Sequence, residues 1–164
     1  FLLTAPARPH GRPVTEIQMA DLLREVRRRF DFCLLDAPAG LGRGFQLATC
    51  AADRCVVVTT ADASSLRDAQ HTVMELDRFP SGALHLVVNR VRKKLLRQLH
   101  ATIDDAIDKA GLPLLGVVPE DDALPLCMNR GVPILLADGQ SAATAYRNIA
   151  KRLQGERVPL LRIR

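Results

Sequence analysis

The residues best suited by type and spacing to do chemistry each close an apolar run. Cys33-Leu34-Leu35 leads directly into Asp36-Ala37-Pro38-Ala39-Gly40. A carboxylate at such a strand end can hold a Mg²⁺ ion, or a water bound to it, against a phosphate. The small Ala39 and Gly40 beside the Pro38 ring would let backbone N–H groups approach phosphate oxygens closely. Two more runs end in polar groups: Leu84 to Val88 at Asn89-Arg90, and Leu114 to Val118 at Pro119-Glu120-Asp121. By spacing alone these segments also fit ordinary strand-to-loop turns, which are rich in Asp, Pro and Gly.

The elements that must carry these residues alternate along the chain. Thr15-x-x-Gln18 forms a capping-box start, after which Met19, Leu22, Leu23, Val26 and Phe30 trace one helical face. Strands are expected at Phe32–Leu35, Cys55–Val58, Leu84–Val88 and Leu114–Val118. Between them, Leu66, Ala69, Val73, Leu76 and Phe79 form a helical stripe that ends at Pro80-Ser81-Gly82. Ile103, Ala106, Ile107 and Ala110 form another, stopped by Gly111. A last helix turns Ala142, Ala145, Tyr146, Ile149 and Leu153 inward and stops at Gly155. Continuous apolar strands joined by amphipathic helices predict strands buried on both faces of a parallel sheet. The expected architecture is α/β: a three-layer, doubly wound, mostly parallel sheet in a single domain, residues 1–164. Ligands of such sheets bind beyond the carboxyl ends of the strands, where the polar residues fall.

Composition excludes several other classes. With 164 residues, 48% apolar and 25% charged side chains, the chain is neither disordered nor collagen-like. Its apolar runs are far shorter than the ~20 residues of a membrane-spanning helix. The net charge is +5, with 19 of the 23 cations being Arg. One Tyr, five Phe and no Trp leave the arginine clusters without stacking platforms, so no specific nucleic-acid partner is expected. Solvated surface is the expected use of these cations, with contact to anionic lipid or phosphate as the other. Four cysteines lack Cys-x-x-Cys spacing; Cys33 and Cys55 sit in apolar runs and read as buried thiols. The four histidines have no metal-ligand spacing. No G-x-x-x-x-G-K-[ST] loop occurs, and Gly40-x-Gly42-x-Gly44 reads instead as the entry to a helix.

Several segments together resemble one family. Phe30-Asp31-Phe32-Cys33-Leu34-Leu35-Asp36-Ala37-Pro38-Ala39-Gly40 looks like the Walker B and switch II segment of the MinD family of septum-site ATPases. Ser64-Ser65-Leu66-Arg67-Asp68, Val88-Asn89-Arg90-Val91-Arg92 and Gly116-Val117-Val118-Pro119-Glu120-Asp121 continue the match in order. Asn129-Arg130-Gly131-Val132-Pro133 and the Tyr146–Leu153 helix complete it, so that the similarity runs from about Thr15 to Leu160. Partition (ParA-like) ATPases usually carry a second Pro where Ala39 stands. Gly42 departs from the MinD pattern, which often has Glu there.

The resemblance implies a P-loop ATPase with a deviant Walker A motif that dimerises around ATP as a switch in division-site selection. Asp36 would join the water shell of Mg²⁺ and the γ-phosphate, with Pro38, Ala39 and Gly40 as the nucleotide-sensing switch. Asn89 and Arg90, with Pro119, Glu120 and Asp121, would form the adenine pocket. Ser65, Arg67 and Asp68 would face a MinC-like inhibitor and a MinE-like regulator. The protein would be cytoplasmic and peripheral at the inner face of the cell membrane. The P-loop unit is expected to precede Phe1, and the family's amphipathic membrane helix would follow Leu160. Residues 1–164 alone are therefore expected to be inactive. The alternatives are a ParA-like partition ATPase and a non-catalytic α/β interaction domain. Guanine-specific P-loop proteins use Asn-Lys-x-Asp; here the fourth place of Asn89-Arg90-Val91-Arg92 holds a donor-only guanidinium, so ATP should be preferred to GTP.

Overall fold

The computed structural model describes residues 1–4, 13–98, 102–137 and 141–161. The chain forms two compact units, residues 1–53 and 54–164.

In the first unit, helix α1 spans Glu16–Arg27 and α2 spans Arg43–Thr49. The capping box forms as expected: the Thr15 N–H donates to Gln18 Oε1 at 3.0 Å, and the Gln18 N–H to Thr15 Oγ1 at 3.2 Å. The helix ends at Arg27 rather than Phe30. Arg27 donates to the Ala51 carbonyl at 2.7 Å and to Asp53 Oδ1 at 2.6 Å, which ties α1 to the chain after α2. Only Leu23, Phe45 and Thr49 are buried here among the described residues.

The strand expected at Phe32–Leu35 does not form. A strand exists through ladder bonds to a neighbour, and no regular element includes these residues. Their side chains stay in solvent, with Leu34 90% and Phe32 67% exposed. Cys33, expected to be buried in that strand, is exposed for the same reason. All four cysteines are free thiols; burial raises the pKa of Cys55, which is partly buried.

The second unit is built on a parallel sheet in the order β1 (Cys55–Thr59), β2 (Leu84–Val91), β3 (Leu114–Pro119). Helix α3 (Ala63–Met74) connects β1 to β2; α4 (Lys93–Gln98) and α5 (Ile103–Ala110) lie between β2 and β3. After β3 come α6 (Ala123–Asn129), a 3₁₀ turn (Ile134–Leu136) and α7 (Ser141–Leu153). Helices α3 and α5 pack against each other, as expected where both connections cross over on the same face of a parallel sheet. On the other face, α7 covers Val56 and Val87, which alternate with the buried Val57, Leu86 and Val88. Helix α7 approaches so closely that a Cβ on Gly116 would lie 2.4 Å from Ile149 Cγ1, so β3 requires glycine there.

The α5 stripe ends as read: Gly111 caps it in the left-handed conformation at φ +66°. The α3 stripe is shorter than expected, because the helix ends at Met74 and the fully buried Leu76 lies in the turn that follows. Strand β1 is not buried on both faces: Val58 is 59% exposed, as suits an edge strand. Among the described residues, no helix is long and apolar enough to cross a membrane.

Candidate functional site

Each group of candidate residues sits where its local backbone places it. In the first unit, Asp36, Pro38, Ala39 and Gly40 lie on an exposed segment between α1 and α2. Gly40 turns the chain at φ +84°, and Gly42 opens α2 at the N-cap. The Pro38 ring fills the space that a side chain at position 44 would need, its Cγ 2.4 Å from the ideal Cβ of Gly44. Glycine 44 thus lets α2 start directly against Pro38, and the Gly-rich stretch is a helix entry, as read. The Asp36 carboxylate has no hydrogen-bond or ion-pair partner among the described residues. Both its oxygens face water, which suits a ligand reached through metal-bound water. No cluster of three or more His, Cys, Asp or Glu side chains fit to hold a metal occurs among the described residues.

In the second unit, the ends of β2 and β3 lie side by side in one ladder, with Val91 opposite Pro119. This brings together Asn89, Arg90, Pro119, Glu120 and Asp121. Arg90 adopts φ +53°, unusual for a residue with a Cβ. Asn89 and Arg90 both lie where the register of β2 shifts between Val88 and Val91, and Asn89 supports this irregularity: its Oδ1 accepts the Arg90 N–H at 2.9 Å. Glu120 is gripped from two sides. The Arg90 guanidinium reaches Glu120 Oε1 at 3.4 Å, and Arg92 Nε donates to Oε2. Arg92 follows the motif by two residues, and nothing in the local sequence marks it as a partner of Glu120.

Asp121 is used up inside the fold. One oxygen accepts the Ala123 N–H at 3.1 Å, opening α6; the other accepts the Ala142 N–H at 3.1 Å and the Ser141 hydroxyl at 3.2 Å, opening α7. Burial works to raise its pKa. The donors at Ala142, Ala123 and Ser141 outweigh that and hold the carboxyl below its ordinary value.

Ser65, Arg67 and Asp68 lie in the first turns of α3, beyond the carboxyl end of β1. Arg67 and Asp68 are exposed, whereas Ser65 is half-buried. The Ser65 hydroxyl donates to Thr60 Oγ1 at 2.8 Å, and its N–H donates to Asp62 Oδ1 at 3.0 Å. Asp62, the N-cap of α3, also accepts from the hydroxyls of Thr60 and Ser64. The Thr60 hydroxyl, then the Ser65 amide, drive its carboxyl well below the usual range. Asp62 escaped the reading of the sequence, although an Asp three residues before a helical Ser is a capping signal.

A parallel sheet with its polar loops collected at the strand ends is an α/β arrangement, and by structural likeness it is that of the MinD/ParA P-loop fold. The family model described as Cellulose biosynthesis protein BcsQ matches residues 8–153. The chain belongs to that family. Its likeness to MinD, read from the motifs, recurs in sequence and structure. The septum site-determining protein MinD of Bacillus subtilis is 35% identical over 162 residues, covering 98% of this chain and 60% of that protein. MinD of Synechocystis is 33% identical over 147 residues, covering 88% of this chain and 55% of that protein. A chain of the MinC:MinD cell division protein complex from Aquifex aeolicus superposes with a TM-score of 0.85 at 29% identity, over 92% of this chain and 63% of that one. The chain thus spans little more than half the length of the curated relatives it matches.

Proposed function

We propose that this chain is the C-terminal part of a single MinD-like ATPase domain, and that the complete protein is an ATP-driven dimerisation and localisation switch in division-site selection. The observation that carries this reading is the gathering of Asn89, Arg90, Pro119 and Glu120 at the adjoining ends of β2 and β3, where parallel α/β sheets bind ligands. There Asn89 and the Pro119–Asp121 turn would receive the adenine base, with the flat Arg90 guanidinium at its edge. Mg²⁺, when bound, supplies charge neutralisation at the phosphates. Asp36, open to water on both oxygens, would accept hydrogen bonds from the metal's water shell. Pro38, Ala39 and the left-handed Gly40 would report whether a γ-phosphate is present.

The exposed Arg67 and Asp68, beside Ser65, form the face for a MinC-like inhibitor and a MinE-like regulator. The protein would work in the cytoplasm, peripheral to the inner face of the membrane. Residues 1–164 hold no G-x-x-x-x-G-K-[ST] loop and would not bind Mg-ATP tightly alone. Calorimetric titration tests both statements. Binding by the complete polypeptide and none by residues 1–164 is expected; micromolar binding by this chain alone would sink the second statement.

The description of the matching family model favours a second reading, in which the same switch serves cellulose biosynthesis. Deleting the gene separates the two: misplaced septa support the division role, and lost cellulose with normal septa supports the other.

A further inference from the structure

A cavity of about 580 Å³ opens at the amino ends of β2 and β3, where His85, Leu114 and the chain after α7 meet. His85 stands five positions before Arg90 on β2, roughly 16 Å away at the rise of a strand. Alternation along β2 puts it on the face that carries Val56 and Val87, the one covered by α7. Its Nδ1 is buried and has no hydrogen-bond partner among the described residues. Buried polar atoms are nearly always paired, so an unpaired one in a cavity wall points to a ligand that pairs it. Arg152, half-buried, lines the same cavity. Its guanidinium donates to the Leu115 carbonyl at 3.0 Å and to the Val158 carbonyl from Nε, at 2.8 Å, and from Nη2. These bonds end on neutral oxygens, and no carboxylate pairs with Arg152 among the described residues. A cation drawn partly out of water without a counter-charge favours an anion beside it.

The remaining walls agree with that charge. Leu114 and Val158 supply apolar surface, and the exposed Glu156 and Arg157 complete the lining. Two guanidiniums thus face one carboxylate, a net charge of +1 before His85 is counted. We propose that this cavity is a binding site for a small organic anion, a monocarboxylate with an apolar chain or ring. Its carboxylate accepts from the Nδ1–H of His85, a proton that the imidazolium and one neutral tautomer both carry, and from guanidinium N–H groups that Arg152 still has to spare. Its apolar body covers Leu114 and Val158. The volume is that of an ordinary small-molecule pocket, and a few polar groups among apolar walls are the usual way to orient such a ligand. The inference is independent of the nucleotide reading of the carboxyl ends of the strands.

The test titrates the complete natural polypeptide that carries this chain with sodium octanoate in a calorimeter. Octan-1-ol serves as the uncharged comparison and inorganic phosphate as the anion without an apolar body. Octanoate should bind saturably, about tenfold or more tightly than either. His85→Phe, which fills the same space without the nitrogen, should weaken octanoate about tenfold. Glu156→Gln removes a repelling charge and should tighten it about two- to fivefold, and Arg157→Gln should weaken it by a similar factor. Both of these positions are exposed, so their opposite shifts decide the matter should His85→Phe fail to fold. Octan-1-ol bound as tightly as octanoate would show that the charge is not read, and phosphate bound as tightly that the apolar walls are not used. Either result overturns the proposal, as does the absence of saturable binding, or an affinity that neither Glu156→Gln nor Arg157→Gln moves.

Discussion

The segment from Phe32 to Gly44 and the joined ends of β2 and β3 both carry polar residues after apolar runs, yet they fold on different terms. At the strand ends, three polar side chains are fixed: Asn89 on the next amide, Glu120 between two arginines, Asp121 across two helix starts. The apolar residues leading there are buried, with Leu86 and Val88 fully so. Around Asp36 the carboxylate is free, Leu34 is in water and no strand forms. A preformed site needs its backbone held by neighbours in a sheet. The strand ends have those neighbours within the second unit, whereas the Asp36 segment has none in its own.

The largest effect that can sharpen this contrast is chemical. In the complete protein, Asp36→Ala should reduce ATP hydrolysis by at least about a hundredfold, as loss of one metal- or charge-stabilising group does. Its exposed, unpartnered side chain predicts no change in stability, so unfolding midpoint and phosphate release should separate. Unchanged turnover would make Asp36 a plain surface residue.

Next comes a matched pair of core tests on this chain. Leu86→Ala removes a fully buried side chain and should cost about 2–5 kcal/mol in denaturant unfolding. Leu34→Ala removes one that is 90% exposed. It should change stability by no more than about 0.5 kcal/mol. Comparable losses at both sites would break the contrast, since Leu34 would then be packed in solution.

A smaller effect belongs to Asp121. In Asp121→Asn one of the two accepting oxygens becomes an NH₂ donor, so one of the caps on α6 and α7 is lost with the charge, at a cost of about 1–2 kcal/mol near neutral pH. Its carboxyl is held below the unfolded Asp value of about 3.9. A lowered acidic pKa adds stability above the unfolded value and loses it as pH falls through the folded one. The gap between wild type and variant should therefore be full at pH 6–7 and close progressively below about pH 4. Calorimetric melting temperatures across that range measure it; a gap independent of pH would mean that the charge plays no part.

What could be read from the sequence was local or strongly periodic. Thr15 with Gln18 and Gly111 announce helix ends through chemistry contained within a few residues, and both appear in the fold. The apolar runs of β1, β2 and β3 were equally plain. The run at Phe32–Leu35 looked the same as Cys55–Val58, but strand formation is decided by partners far along the chain, which periodicity does not contain. The polar residues after β2 and β3 were legible as a set because sheet topology alone brings them together. Arg92 was not legible as the holder of Glu120, 28 residues away, nor was the reach of Asp121 to Ser141, 20 residues on. Contacts of that span depend on how strands and helices finally register.

The smallest effect probes backbone alone. Gly111 and Gly40 both adopt left-handed conformations, at φ +66° and +84°, and a Cβ at either would meet nothing within 4 Å. Substitution by Ala therefore carries no clash, only the cost of placing a residue with a Cβ in that region, about 1 kcal/mol. At Gly111 that cost cannot be escaped. Its N–H donates to the Ile107 carbonyl at 2.8 Å, and α5 is anchored by the buried Ala106 and Ala110. Gly40 lies outside any regular element, so the chain there can shift to a relaxed conformation instead. Gly111→Ala should lower stability by about 1 kcal/mol, and Gly111→Asn by less, because Asn tolerates the left-handed region. Gly40→Ala should cost less than about 0.5 kcal/mol. Urea unfolding of the three variants of this chain decides the matter: equal losses at positions 40 and 111 would show the Asp36 segment to be held as firmly as a helix end.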